Sequence, residues 1–256
     1  KSKIIFDDNI IENPENILQE VYKATIELKF ILIDKKICST IKNLFLKKHI
    51  SIKNILCTSY IKSLGLIDKI GISGYSSFID IGFRKSCLMI FKDNKLLYLN
   101  NTHIGGDHVT KDIKKILKID YRKAESQKFK FSQKKELKDD FSSNELLKKI
   151  INSRLEEIIE LLFFNCPLLN NNSLNSDLKL FFTGNGSKVL NENLLTFGTE
   201  LNFISEMSII DEEKKDCCDS AFKFNSNYKK SQSNKSIINL ENKGIFEKLF
   251  EFIAQK

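Results

Sequence analysis

Proline and glycine are scarce, 2 and 10 among 256 residues. Against so many Lys, Ile and Asn, that scarcity reads as the coding bias of an AT-rich genome and carries no function. No apolar run approaches the roughly 20 residues that a membrane-spanning helix needs, so no span is expected. No signal peptide opens the chain, and it starts at Lys1 rather than Met, so a fragment of a longer protein is expected. The 6 cysteines, at positions 38, 57, 87, 166, 217 and 218, include no CxxC and no Cys/His ligand spacing. That excludes a zinc site and points to reduced cytosolic thiols rather than disulfides. His49, His103 and His108 have neither a nucleophile nor metal-ligand spacing around them, and His108 reads as a helix-start residue.

Hydrophobic residues make up 41% of the chain, enough for a packed core in one large or two small domains. The net charge of +8 permits nucleic acid or anionic lipid as a partner, but the lysines are scattered and read as solvated faces, so no nucleic acid is expected. Residues 3–7 and 24–33 read as strands around a turn at Asn13-Pro14-Glu15-Asn16. Asp34 caps a helix in which Ile37, Ile41, Leu44 and Phe45 are expected to bury one face. Residues 50–57 read as a short strand and 59–66 as a helix. Gly71 and Gly74 then mark a boundary. Residues 143–164 show the longest helical period, with Leu146, Leu147, Ile150, Ile151, Leu155, Ile158, Ile159 and Leu162 on the apolar side. Residues 225–243, rich in Ser, Asn and Lys, read as a flexible linker.

The chemistry concentrates in three glycine-bearing segments. Ser77-Phe78-Ile79-Asp80-Ile81-Gly82 is a buried strand ending in a carboxylate and a glycine. A carboxylate there is costly to bury unless it meets a metal, water or a cation. Strands 86–91 and 96–99 follow, joined at Asp93-Asn94. Gly105-Gly106 then opens a helix whose first amides bind phosphate or are capped by Asp107. Leu178 to Thr183 is a further buried strand, feeding Gly184-Asn185-Gly186. Glu125 and Lys128, three apart, share a helix face and either bracket a ligand or form an ion pair. At the C-terminus, Ile245, Phe246, Leu249, Phe250, Phe252 and Ile253 fall within an arc of about 160° at about 100° per residue. Glu247, Lys248, Glu251 and Gln255 lie opposite. This helix is too short to span a bilayer but suits its interface.

In order and spacing these segments resemble the FtsA family of actin homologues, which tether the bacterial division ring to the membrane. Ile79-Asp80-Ile81-Gly82 is similar to the second phosphate motif. Ile104-Gly105-Gly106-Asp107-His108-Val109-Thr110-Lys111-Asp112-Ile113 is similar to Gly-Gly-Asn-His-Val-Thr-x-Asp-Ile. Ala124-Glu125 with Lys128 resembles the Ala-Glu-x-x-Lys helix beside the adenosine, Arg154 with Glu157-Ile158 the Arg before the long helix, and Thr183-Gly184-Asn185-Gly186 the adenosine motif. Three departures stand out. The family's first subdomain and first phosphate motif have no match. Phe83-Arg84-Lys85 replaces the Gly-Gly-Thr after Gly82. The stretch from Lys128 to Ser142 is too short for the strands of subdomain 2B, the part that receives the FtsZ tail.

The resemblance implies an α/β actin-like (ribonuclease H-like) fold. Residues 1–70 would be a 1C-like subdomain and 71–224 a 2A domain with a reduced 2B insertion at about 120–165. A linker at 225–243 and a membrane-targeting helix at 244–256 would follow. It implies ATP and Mg2+ as cofactors, the metal held through ATP. Asp80 would position Mg2+ and water, and Gly82, Gly105, Gly106, Glu125, Lys128, Gly184, Asn185 and Gly186 would line the nucleotide. Any ATPase activity would be weak. The implied partners are FtsZ, further copies of the chain, other division proteins and an anionic phospholipid membrane. The implied location is the cytoplasmic face of the inner membrane at the division site. Rival expectations are another actin-like ATPase, of pilus-assembly or plasmid-segregation type, and a scaffold that no longer binds nucleotide.

Overall fold

A computed structural model describes residues 3–11, 20, 22–27, 30–132, 141–170, 178–190, 204–211 and 215–235. Three short strands open the chain: β1 (Lys3–Phe6), β2 (Asn9–Ile11) and β3 (Ala24–Glu27). They form an antiparallel sheet in the order β2-β1-β3. Of the strand expected over 24–33, Ala24–Glu27 is strand, residues 28–29 lie outside the described residues, and residues 30–33 are not strand. Helix α1 (Lys35–Leu46) begins where expected, because the Asp34 carboxylate accepts the Lys36 amide at 2.6 Å. Its apolar face is not buried, however. Ile37, Leu44 and Phe45 are exposed and Ile41 is half-buried. The periodicity supplied an apolar stripe, but among the described residues nothing covers it. Residues 50–57 form no strand.

Helix α2 (Thr58–Ile70) leads into the main sheet, built of β4 (Tyr75–Ile81), β5 (Ser86–Lys92), β6 (Lys95–Thr102), β7 (Leu178–Thr183) and β8 (Ile204–Ile209). Its order is β6-β5-β4-β7-β8. The first three strands form an antiparallel meander, whereas β4, β7 and β8 run parallel. Asp93 and Asn94 close the β5–β6 hairpin with φ of 47° and 63°, the left-handed pair that a two-residue hairpin turn requires. Between β6 and β7 the chain forms α3 (Gly106–Leu117), α4 (Tyr121–Ser132), α5 (Phe141–Phe163) and the short α6 (Pro167–Asn170). Helix α7 (Asp216–Lys235) follows β8.

The sheet is apolar on both faces, as expected of strands covered by helices. Ile79, Ile81, Leu88, Ile90, Leu180 and Phe182 face α3 and α5, whose Val109, Ile113, Ile151, Leu155, Ile158 and Leu162 close the larger core. Leu146, expected on the buried side of α5, is exposed. Phe78, Met89, Phe91 and Phe181 face the other way, against Leu66 and Ile67 of α2. The packing therefore joins α2 to the sheet, although it precedes the Gly71/Gly74 segment. Helix α7 lies on α2: Tyr60 stacks on Phe91 and meets Phe224 edge-on, with centroids 6.1 and 6.2 Å apart. Residues 225–235, expected to belong to a linker, continue this helix. Residues 236–256, including the expected membrane-targeting helix, lie outside the described residues, as does the Asn13-Pro14-Glu15-Asn16 turn.

Candidate functional site

Parallel strands β4 and β7 end side by side, with Asp80 level with Thr183. A crevice at the carboxyl ends of such strands is where open α/β sheets take ligands. All three glycine segments meet there. A Cβ at Gly105 would stand 2.6 Å from the Gly82 carbonyl oxygen, and one at Gly106 would stand 3.6 Å from Gly186 Cα. A Cβ at Gly186 would stand 2.7 Å from the Ile81 carbonyl oxygen. Gly184 has φ of +85°, and a Cβ there would run into the Asp80 carboxylate and the Ile81 carbonyl. These glycines let the ends of β4 and β7 and the start of α3 pack backbone on backbone. Asn185 is exposed at the mouth of the turn.

The first-turn amides of α3 are bonded within the protein. Gly106 donates to the Gly82 carbonyl at 3.0 Å, Asp107 to that of Phe83 at 2.8 Å and His108 to that of Gly105 at 2.9 Å. The Gly82 and Phe83 carbonyls, at the start of the turn through Arg84 and Lys85, are folded onto the helix start, where an anion was one of the expected occupants. His108 also belongs to this cap, because its Nδ1 accepts the Gly105 amide at 3.2 Å. Phe83 is exposed, with the Arg84 guanidinium 5.8 Å above its ring.

Glu125 and Lys128 form an ion pair at 2.7 Å, one of the two alternatives left open by their spacing. The pair is no isolated surface contact. Lys128 is buried, and its ammonium also donates to Thr110 Oγ1 at 2.7 Å and to the Gly106 carbonyl at 3.1 Å. Thr110 in turn donates to Glu125. The three ammonium protons thus have three acceptors, and the network ties α4 to the glycine start of α3. Beside it, Tyr121 donates to buried Asp107 at 2.7 Å and Lys111 pairs with the same carboxylate at 2.7 Å. Burial pushes the Asp107 carboxyl up, but the bonds from Lys111 and Tyr121 and the charges of Lys111 and Arg84 outweigh it and hold it below its ordinary value. The hydrogen bond to Asp107, then burial, push the Tyr121 hydroxyl up to about 12. Arg154 bridges Asp112 and Glu157, so it braces α3 against α5.

Asp80 has partners that the sequence reading did not name. Ser59 donates to Oδ2 at 2.6 Å, and the Lys62 ammonium lies 3.3 Å from Oδ1. Both come from α2, where the i, i+3 spacing puts them on one face. The donors fit a cation at this carboxylate but not a hard divalent metal. Mg2+ wants a shell of oxygens and keeps several waters, whereas Asp80 faces an ammonium, and Gly184 lies too near Oδ1 to leave room even for a Cβ. Among the described residues, no group of three or more His, Cys, Asp or Glu could hold a metal. Cys87 is not a nucleophile at neutral pH, because burial, then the charges of Cys57 and Asp80, push its thiol up to about 12.

Residues 77–181, from β4 into β7, match the family model described as Cell division protein FtsA. No curated protein sequence matches the chain. MreB5 of Spiroplasma citri bound to AMPPNP is similar in structure, with a TM-score of 0.59 at 18% identity over 79% of this chain and 68% of that one. The ADP-bound form of the same protein gives 0.58 at 19% identity over the same shares. At such identities the likeness establishes the fold, which is the mixed α/β actin-like ATPase fold. The residues that match the FtsA model, 77–181, lie within that fold.

Proposed function

We propose that this chain is part of an FtsA-type cell-division scaffold. It holds ATP at the carboxyl ends of β4 and β7, with Glu125, Lys128, Gly184, Asn185 and Gly186 toward the adenosine and Gly82, Gly105 and Gly106 toward the phosphates. It associates with further copies and with other division proteins through residues 1–70. It recruits FtsZ and attaches to anionic phospholipid on the cytoplasmic face of the inner membrane through residues 244–256. Catalysis is at most a weak ATPase activity. The observation that carries this reading is the meeting of three glycine segments with the Lys128 network in one crevice, two of those segments and the network lying within the residues that match the FtsA model and Gly184-Asn185-Gly186 following directly after them. The nucleotides in the two MreB5 structures, AMPPNP and ADP, agree with the choice of ligand.

The test is co-sedimentation of FtsZ with anionic liposomes. FtsZ should reach the lipid pellet only with this protein present. Phe250→Glu, a charge in the middle of the apolar arc, should leave both proteins in the supernatant. Burying one Phe or Leu is worth roughly 1.5–3 kcal/mol when complete. Six partly buried side chains therefore hold one copy marginally, and many copies in an assembly hold firmly. A Phe250→Glu protein that still pellets like the wild type would end the membrane-anchor reading.

A second reading has its own observation. The first-turn amides of α3 are already bonded to the turn carbonyls, which suits a scaffold that holds no nucleotide. Calorimetry with ATP on the full-length natural protein separates the two: heat of binding supports the first reading, and none at millimolar ATP supports the second.

A further inference from the structure

Asp80 sits at the end of β4 with both oxygens engaged by one helix. Its side chain is 16% exposed and that of Lys62 is 12% exposed, so the ion pair is mostly shielded from water. Ser59 fixes Oδ2 while Lys62 takes Oδ1. Gly184 lies so close on the β7 side that a Cβ there would run into Oδ1. We infer that Lys62 is the resident cation of this carboxylate and occupies the place that a divalent metal would need, so that Asp80 binds no metal. The geometry gives three reasons. An ammonium already neutralises the Asp80 carboxylate. A second, doubly charged cation on Oδ1 would face that ammonium at short range. A hydrated metal would also need room that the Gly184 turn takes up.

The same pair has a second role. Lys62 and Asp80 join α2 to β4 from a sequence distance of 18 residues. Removing the ammonium leaves a shielded carboxylate held by one hydroxyl, which is far more costly than removing both charges. Neither role depends on whether a nucleotide binds.

The experiment uses Mn2+ as the probe, read by the loss of its free-ion electron paramagnetic resonance signal on the whole chain. Wild type and Asp80→Asn should leave the same free Mn2+ signal up to millimolar metal. Lys62→Met, with Asp80 intact, should melt roughly 5 °C lower than wild type and should gain Mn2+ binding. Lys62→Met/Asp80→Asn should recover most of that loss and bind no Mn2+. Lys62→Arg, which keeps a cation, should fold and remain blind to Mn2+, and it secures the test if Lys62→Met does not fold. Mn2+ retained by the wild type and released by Asp80→Asn would overturn the inference. So would a Lys62→Met protein that melts like the wild type.

Discussion

The Lys128 ammonium stands 2.7 Å from the Thr110 hydroxyl, although the two residues lie 18 positions apart on different helices. This contact, with Glu125 and the Gly106 carbonyl, makes the start of α3 depend on a charge carried by α4. The chemistry of the crevice and its stability therefore rest on the same atoms.

Lys128→Met tests that dependence. The substitution keeps most of the volume and removes the charge, leaving Glu125 and Thr110 without their shared donor. Glu125 is partly open to water, which tempers the cost. A loss of about 1–3 kcal/mol is expected, the cost of unsatisfying buried polar groups. Urea unfolding measures it. A midpoint equal to wild type would show that the network contributes nothing.

Gly184→Val should be worse. At φ of +85° a branched residue is strained, and its Cβ would lie 2.6 Å from the Ile81 carbonyl oxygen. The expected loss is at least about 2–3 kcal/mol, from backbone strain and collision together. ATP binding, where present, should weaken with it. Thermal melting reads the first effect and calorimetry the second. A variant as stable as wild type would mean that the turn relaxes freely.

The Asp107–Tyr121 pair should give a signature at each end of the pH scale. Asp107 is held below its ordinary value in the folded state, so its contribution is present above the unfolded value of about 3.9 and is lost as pH falls through the folded value. Tyr121 moves the other way. Its folded value is raised to about 12, so its contribution is present below the unfolded value of about 10 and is lost between about 10 and 12. Tyr121→Phe should flatten the alkaline fall in stability and leave most of the acid fall, because Lys111 still pairs with Asp107. Denaturation midpoints across pH check both limbs. An alkaline fall unchanged in Tyr121→Phe would assign it to other groups.

Strands β4 to β7 of the main sheet were legible because their signals are local and agree, whereas β8 was not read as a strand. In β4, β5 and β7, short apolar runs end at glycine or at the Asp93-Asn94 turn, and a fully covered strand needs little more than that. The three glycine segments were legible for the same reason, and the structure brings them together. What the sequence could not supply was partners. Ser59 and Lys62 are unremarkable on their own helix and gain meaning only once α2 lies across β4. The apolar stripe of Ile37, Leu44 and Phe45 satisfies helical spacing, but spacing does not say whether anything covers it. Residues 225–235 look like a linker by composition, yet Ser220 and Phe224 dock the preceding turns on α2, and the helix runs on from there. In the last two cases tertiary contact, or its absence, overrode the local pattern.

At the crossing of α2 and α7, Gly65 leaves no room for a methyl group. A Cβ there would run into the Ser220 hydroxyl and come within 2.8 Å of its Cβ. Helix α2 is the chain's way into the five-stranded sheet and α7 its way out. The layer is thus entered and left at one clasp, with every strand and crossover strung between two helices that touch. A unit with that connectivity can be carried as a cassette, because a segment joined ahead of α2 or behind α7 need not part any two of its strands.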